Sequence, residues 1–479
     1  MNVFRVPSSS AVFDSSTFTP ADSGVYWVVC ALLDADSCLD LATVNTFANS
    51  ISVFFNDCYG TFTPGGDYEV GQNPRTIFAA DLDGDNVVDL ATANSGSNDI
   101  SVLINDGVGG FPSVPDSYSS GGSSWGIFCG DYDNDGDMDI AVTTGDSGTI
   151  AIFMNDGDGT FPVLPSQILS AEGGAFGIYA ADLDLDHYLD LAITSGDVRS
   201  VKIFINNGDG TFPPVPTGSY SSEGSSWGIF CADLNGDGYP DLAVTNPDVE
   251  SVVVLLNNGD GTFPPTLNGS YDTPGSAWGI FCADYDGDSD VDIAASNSDS
   301  GTVSIFRNDG HGDFPPPQPI ASYETNGSAW GIFAADLNGD GILDIAVANT
   351  ETDGVTELWN GPYQCQYVPG DVNGTPPFNG IDITYSVNYL KGIGAAPPVS
   401  CDCPPNGHLF VAGDANGSCL FNGIDVSYGV NYLKGLGSAP QGCPDCPPAA
   451  TLNLNPPAVE PLRAKLLESR AKSKMDESR

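Results

Sequence analysis

The chain is 479 residues long, and acidic residues outnumber basic ones 63 to 13, giving a formal charge of −50. A surface of that sign repels nucleic acid and anionic lipid, yet 41% hydrophobic and 10% aromatic residues are too many for a solvated acidic tail, so the bulk of the chain folds. No run of about 18 apolar residues is present to span a membrane, and the stretch from Met1 to Ser8 lacks the apolar core of a secretory signal.

Residues 1–20 carry short apolar–polar stretches, Val3 to Val6 and Ala11 to Phe13. Beyond them one unit recurs. In its clearest form it has an apolar run (Trp227 to Ala232), a nine-residue acidic loop, a second apolar run (Asp241 to Thr245), a polar turn and an alternating run (Ser251 to Leu256). A glycine-rich turn (Asn257 to Phe263) and a proline-rich extended segment ending near Tyr271 complete it. Runs rich in Val, Ile and Phe divided by Gly, Asn and Asp signal strands and turns, and four strands per unit make a propeller blade. The acidic loops begin at Leu32, Asp81, Asp131, Asp182, Asp233, Asp284 and Asp336, at intervals of 49 to 52 residues, so each repeat is one supersecondary unit. The glycine-rich turn starts at Asn56, Asn105, Asn155, Asn206, Asn257 and Asn308, but the seventh unit runs Leu358, Trp359, Asn360, Gly361, Pro362 and lacks its last strand. The N-terminal segment is predicted to supply it and close the ring, hiding edges that otherwise invite aggregation.

After Pro362 a second duplication appears. Gly370 to Gly392 returns as Gly413 to Gly435, each copy an oxygen-rich loop feeding a short helix with apolar residues at helical spacing (Ile383, Val387, Leu390) and a glycine stop. Pro447 to Pro461 is a proline-rich spacer, and Leu462 to Arg479 holds six of the thirteen basic residues in a helical pattern with little core. The predicted fold is mainly β: a seven-bladed propeller over residues 1–362, an α-rich, cysteine-rich duplicated module over 363–446, and a spacer with a basic tail over 447–479.

Calcium takes six to eight oxygen ligands. Side chains at positions one, three and five of a tight loop can converge on one point, a carbonyl at seven can join them, and an Asp at nine can return from the next strand. The candidate ligands are Asp81, Asp83, Asp85 and Asp89; Asp131, Asp133, Asp135 and Asp139; Asp182, Asp184, Asp186 and Asp190; Asp233, Asn235, Asp237 and Asp241; Asp284, Asp286, Asp288 and Asp292; and Asp336, Asn338, Asp340 and Asp344. A single such loop reads equally well as a solvated Asp-Gly turn, but six full copies in phase with the strand pattern do not. In the first copy Leu32 stands where the first carboxylate belongs and only Asp34, Asp36 and Asp40 remain, so weak or absent metal is predicted there.

These repeats resemble FG-GAP or VCBS repeats, the family of the integrin α-chain propeller and of many bacterial surface proteins, over about residues 20–360. The resemblance implies calcium in the loops on one face and partners on the opposite face. The C-terminal pair resembles dockerin, a two-loop calcium module that docks into cohesin receptors. It implies ligands at Asp371, Asn373, Thr375, Asn379 and Asp382, and again at Asp414, Asn416, Ser418, Asn422 and Asp425. Thr375 or Ser418 replaces the usual Asp at position five, and Pro376 or Cys419 the turn glycine at six, which weakens the expectation both of calcium affinity and of cohesin binding. A purely structural mini-domain is the alternative.

Cys30, Cys129, Cys231 and Cys282 hold one place in four units and read as small buried hydrophobes, because equivalent positions on different blades lie too far apart for a disulfide. Cys38 and Cys58 fall in the first and third turns of unit one, which share one end of a four-stranded meander, so a disulfide between them is predicted. Cys365, Cys401, Cys403, Cys419, Cys443 and Cys446 suggest up to three disulfides in the C-terminal module, a small domain in need of staples. Trp125, Phe176, Trp227, Trp278 and Trp330 recur six residues before the first loop position; they either fill space between blades or stack sugars. No nucleophile motif is present, and the repeated Asp residues have work as ligands, so no enzyme is expected. Extracellular or cell-surface placement follows from calcium sites of modest affinity. The expected role is adhesion, binding or assembly, with a protein partner or neighbouring subunit met through the dockerin-like module and tail and a homo-oligomer or filament as the product. The alternatives are a glycan-binding lectin-like propeller or a dockerin-bearing polysaccharide lyase or hydrolase.

Overall fold

Seven four-stranded antiparallel meanders stand side by side, and their first strands form the inner wall of a ring. The computed structural model describes residues 13–316, 319–360, 401–403 and 407–409. It divides into two units, Met1–Gly361 and Pro362–Arg479. The first blade is Val25–Ala31, Asp40–Asn45, Ser50–Asn56 and Phe62–Glu69 in that spatial order, and the next five repeat it. Each inner strand touches the inner strand of the next blade, and Val25–Ala31 touches Ala329–Ala335, so the seven-bladed ring is complete.

The predicted N-terminal closure holds. Phe13–Pro20 pairs antiparallel with Gly354–Asn360 and becomes the outer strand of the seventh blade, with Thr17 opposite Glu357 and Pro20 opposite Gly354. The strand lies later than the apolar stretches that suggested it: only Phe13 of them belongs to it, and Val3 to Val6 fall outside the described residues. The reason is positional. An outer strand faces solvent, so a Ser/Thr-rich sequence serves and no apolar run is needed. Phe13 is the exception, buried against Tyr323 and Tyr285 with ring centroids at 5.1 and 6.1 Å.

The core lies between blades. Second strands such as Asp139–Thr144 are buried along their whole length, as expected of strands covered on both faces. One cluster joins Leu82, Ile100 and Val102 of the second blade to Ile127, Cys129 and Ile140 of the third, and the same pattern repeats around the ring. Cys30, Cys129, Cys231 and Cys282 are free, buried thiols in this packing, as predicted.

The repeated aromatics do something else. A β-bulge in the inner strands, for instance between Ser124 and Ile127, turns residues three apart toward the central channel. Tyr26, Arg75, Trp125, Phe176, Trp227, Trp278 and Trp330 thereby form a closed tier, with ring centroids at 4.1 Å (Phe176–Trp227) to 5.5 Å (Trp125–Phe176) and Tyr26 at 4.7 Å from Trp330. The Arg75 guanidinium completes it, 5.0 Å from the Tyr26 ring and 4.4 Å from that of Trp125. A second tier follows, Phe78, Phe128, Tyr179, Phe230, Phe281 and Phe333, at 4.7 to 5.0 Å between neighbours. The recurrent Trp positions thus line the channel and touch one another, while aliphatic residues and cysteines fill the space between blades.

In the second unit the described residues are a two-stranded pair, Cys401–Cys403 with Gly407–Leu409, in which Asp402 faces His408 across the backbone. The predicted loop–helix copies, their ten ligands from Asp371 to Asp425, the remaining cysteines and the basic tail lie outside the described residues.

Candidate metal centres

The acidic loops follow the inner strands, so all seven lie at one end of the ring, opposite the Trp tier. Each loop is wound by its own side chains. The position-five N–H donates to the position-three side chain, as Asp85 to Asp83 at 3.1 Å, and the position-seven N–H to position five, as Val87 to Asp85 at 2.7 Å. In loops two to seven the position-six N–H donates to the first carboxylate at 2.9 to 3.0 Å. Such side-chain-to-backbone bonds favour Asp and Asn over other residues in tight turns. Positions four and six both take positive φ, including Asn134 at 60° and Leu185 and His187 at 60° and 78°. Leu185 holds a conformation that costs an L-residue about 1–2 kcal/mol, so winding the loop outweighs local preference.

Carboxylate oxygens converge at four loops: Asp81, Asp83 and Asp85; Asp131, Asp133 and Asp139; Asp182, Asp184 and Asp190; and Asp284, Asp286 and Asp292 each bring three within 4.8 Å of one another, three of the four candidates in each loop, without Asp89, Asp135, Asp186 and Asp288. Loops five and seven share the winding, with Asn235 and Asn338 at position three. At such separations each pair of charges repels by about 3 kcal/mol at an effective dielectric of 20, a cost that a divalent cation would remove. Asp182 Oδ1 is buried with no hydrogen-bond partner, as a ligand oxygen awaiting a hard cation would be. The all-oxygen donor set fits calcium.

The position-nine Asp has a second task that the sequence did not disclose. It is fully buried; one oxygen accepts the position-two N–H at 2.8 to 3.3 Å, the other accepts the N–H of the Asn that opens the glycine-rich turn at 2.7 to 2.9 Å. That Asn, in all seven blades including Asn360, donates its amide at 2.7 to 2.8 Å to the position-two carbonyl of the preceding blade's loop, as Asn155 to Leu82 and Asn56 to Leu337. The acidic loop is therefore hydrogen-bonded to the joint between blades. Burial, then the neighbouring carboxylates, pushes these acids up, to about 6 at Asp89, about 7 at Asp139 and about 8 at Asp344, although their N–H partners pull the other way. The persistence of Asn360 where the glycine turn is lost was the available signal.

The first loop departs from this pattern. Leu32 cannot accept the position-six N–H, and neither Ala35 nor Ser37 takes positive φ. Cys38 and Cys58 form the predicted disulfide, Cα atoms 5.1 Å apart, and it staples the turns that a cation would otherwise hold. Asp34 and Asp40 do not join a three-carboxylate cluster. A disulfide closing a loop of 20 residues stabilises by about 3 kcal/mol on the chain-entropy account. A Cys38→Ser/Cys58→Ser double variant should lose that much in urea denaturation while binding as many metal ions as the parent. Loss of a metal ion would show that the first loop is a site.

The sixth loop carries an internal cation. Arg307 Nε lies 2.5 Å from Asp286 Oδ2, where the corresponding residues of the other blades are Phe55, Ile104, Met154, Ile205, Leu256 and Trp359.

The model of the FG-GAP-like repeat matches residues 81–142, 139–193, 186–244, 233–295 and 284–347, starting at the second loop and leaving out the degraded first. Cartilage acidic protein 1 of Mus musculus is 26% identical over 161 residues, 31% of this chain and 25% of that protein, so the chain matches about a quarter of that relative's length. Among solved structures, BBS1N in complex with ARL6DN superposes with a TM-score of 0.52 at 11% identity, over 74% of this chain and 98% of that one, a likeness of fold alone. With more than half of its residues matched in stretches that keep step with the blades, the chain belongs to the FG-GAP-like repeat family.

Proposed function

We propose that this protein is a non-enzymatic, extracellular, calcium-stabilised propeller that serves binding and assembly, with the C-terminal module as its docking element. The observation that carries the reading is the recurrence of one oxygen-rich loop at the same end of six blades, hydrogen-bonded in each case to the interblade joint. Calcium near millimolar outside cells suits loops of modest affinity, and the Cys38–Cys58 disulfide suits an oxidising compartment. The repeated carboxylates are committed to loop winding and cation binding, which leaves them poor candidates for acid–base catalysis. The channel tryptophans turn much of their ring surface to one another, which disfavours the lectin alternative.

Calorimetric titration and elemental analysis of the Met1–Gly361 unit should return about six calcium ions, none of them in the first loop; a metal-free protein that stays folded would sink the reading. Sedimentation of the full chain with and without calcium tests assembly, and monomers under both conditions would remove that part. The guanidinium in loop six competes with the ion. Arg307→Leu should therefore tighten the weakest calcium step by about tenfold, since a neighbouring positive charge opposes cation binding, and an unchanged isotherm would show that Arg307 swings clear.

A further inference from the structure

The seven inner strands enclose a cavity of about 350 Å3, and among the described residues Arg75 is the one charged residue that lines it. The described residues contain four Arg or Lys side chains. Three sit with carboxylates: Arg199 with Asp248, Lys202 with Glu172 and Arg307 with Asp286. Arg75 does not, in a protein where acids are abundant. Its Nε donates to Ser95 Oγ at 3.0 Å, and its plane is held against the Tyr26 and Trp125 rings. A guanidinium carries five N–H donors in a fixed fork. The Nε–H is engaged by Ser95, and the two ring contacts set the orientation of the rest.

We propose that the channel binds a small organic anion, with an apolar body held between the two aromatic tiers and one carboxylate on the remaining N–H groups of Arg75. The volume lies in the range that small-molecule sites occupy, and such sites combine an apolar wall with few fixed polar groups. The fork matches a carboxylate in two-point geometry, and the mainly apolar lining strengthens that pair. A neutral sugar fits less well, because it would leave the cation unmatched. This inference does not rest on the metal reading, since the channel tier lies at the end of the ring opposite the acidic loops.

The test is calorimetric titration of the full chain, in calcium-replete buffer, with 2-naphthoate and with its neutral counterpart 2-naphthamide. The carboxylate should bind at least tenfold tighter than the amide. Arg75→Gln and Arg75→Met should bring the two within about twofold, with circular dichroism unchanged. Absence of binding by either probe, equal affinities in the parent, or a preference that survives both substitutions would overturn the proposal. The ratio in the parent alone decides whether charge is read, so a variant that fails to fold does not rescue it.

Discussion

Stripping divalent ions from the propeller at pH 7.5 should lower its melting temperature by on the order of 10 °C, and millimolar calcium, but not sodium at equal ionic strength, should restore it. A site filled at ten times its dissociation constant contributes about 1.4 kcal/mol. Six such loops sum to about 8 kcal/mol, similar to the whole stability of an ordinary domain. The pH dependence carries the sharper signature. In the stripped protein burial raises the position-nine acids to about 6 at Asp89, about 7 at Asp139 and about 8 at Asp344, all above the unfolded value. The folded chain then holds more protons than the unfolded one, so stability is fully present below about pH 4 and is lost as pH rises through 6 to 8. With calcium bound the carboxylates are already ionised and paired, and that loss disappears. Thermal melts of stripped and loaded protein from pH 5 to pH 8 should therefore diverge, the stripped curve falling. A stripped protein that gains stability over this range would contradict the electrostatics of the loops.

Much of the architecture could be read from the sequence because two periods coincide: alternation within strands and an acidic nonapeptide every fifty residues or so. The Cys38–Cys58 bridge was legible for the same reason, since a meander places its first and third turns together. What escaped notice has a common physical origin. The position-nine Asp looks like one more ligand, and its two backbone partners are set by strand register, which composition does not display. Leu185 and His187 sit at positive φ without a glycine to announce it, because the surrounding hydrogen bonds impose the turn. Tyr26 and Arg75 complete the aromatic tier, yet differ in type from the tryptophans, and only their phase, six residues before Leu32 and Asp81, links them to it. The outer closing strand was placed too early because an apolar stretch was sought where solvent exposure requires none.

That strand is also where the largest structural effect is expected. Deleting residues 1–20 should convert the closed propeller into aggregated or open-ring material, as judged by size exclusion and limited proteolysis. Without Phe13–Pro20 the strand Gly354–Asn360 becomes a bare edge of unpaired N–H and C=O groups, a template for pairing with another chain. The deletion also strands Glu357, which is fully buried in this strand and accepts the Thr17 hydroxyl at 2.7 Å. A buried acid stripped of its partner costs about 1–3 kcal/mol or more. Trp359 loses the same hydroxyl, its acceptor at 3.0 Å. The milder variant Phe13→Ala keeps the backbone pairing but empties the contact with Tyr285 and Tyr323, and should cost about 3–5 kcal/mol in urea denaturation. The two results separate closure from packing. A deletion that leaves the parent's elution volume and melting temperature unchanged would mean that the seventh blade stands on three strands and that the N-terminal segment is dispensable.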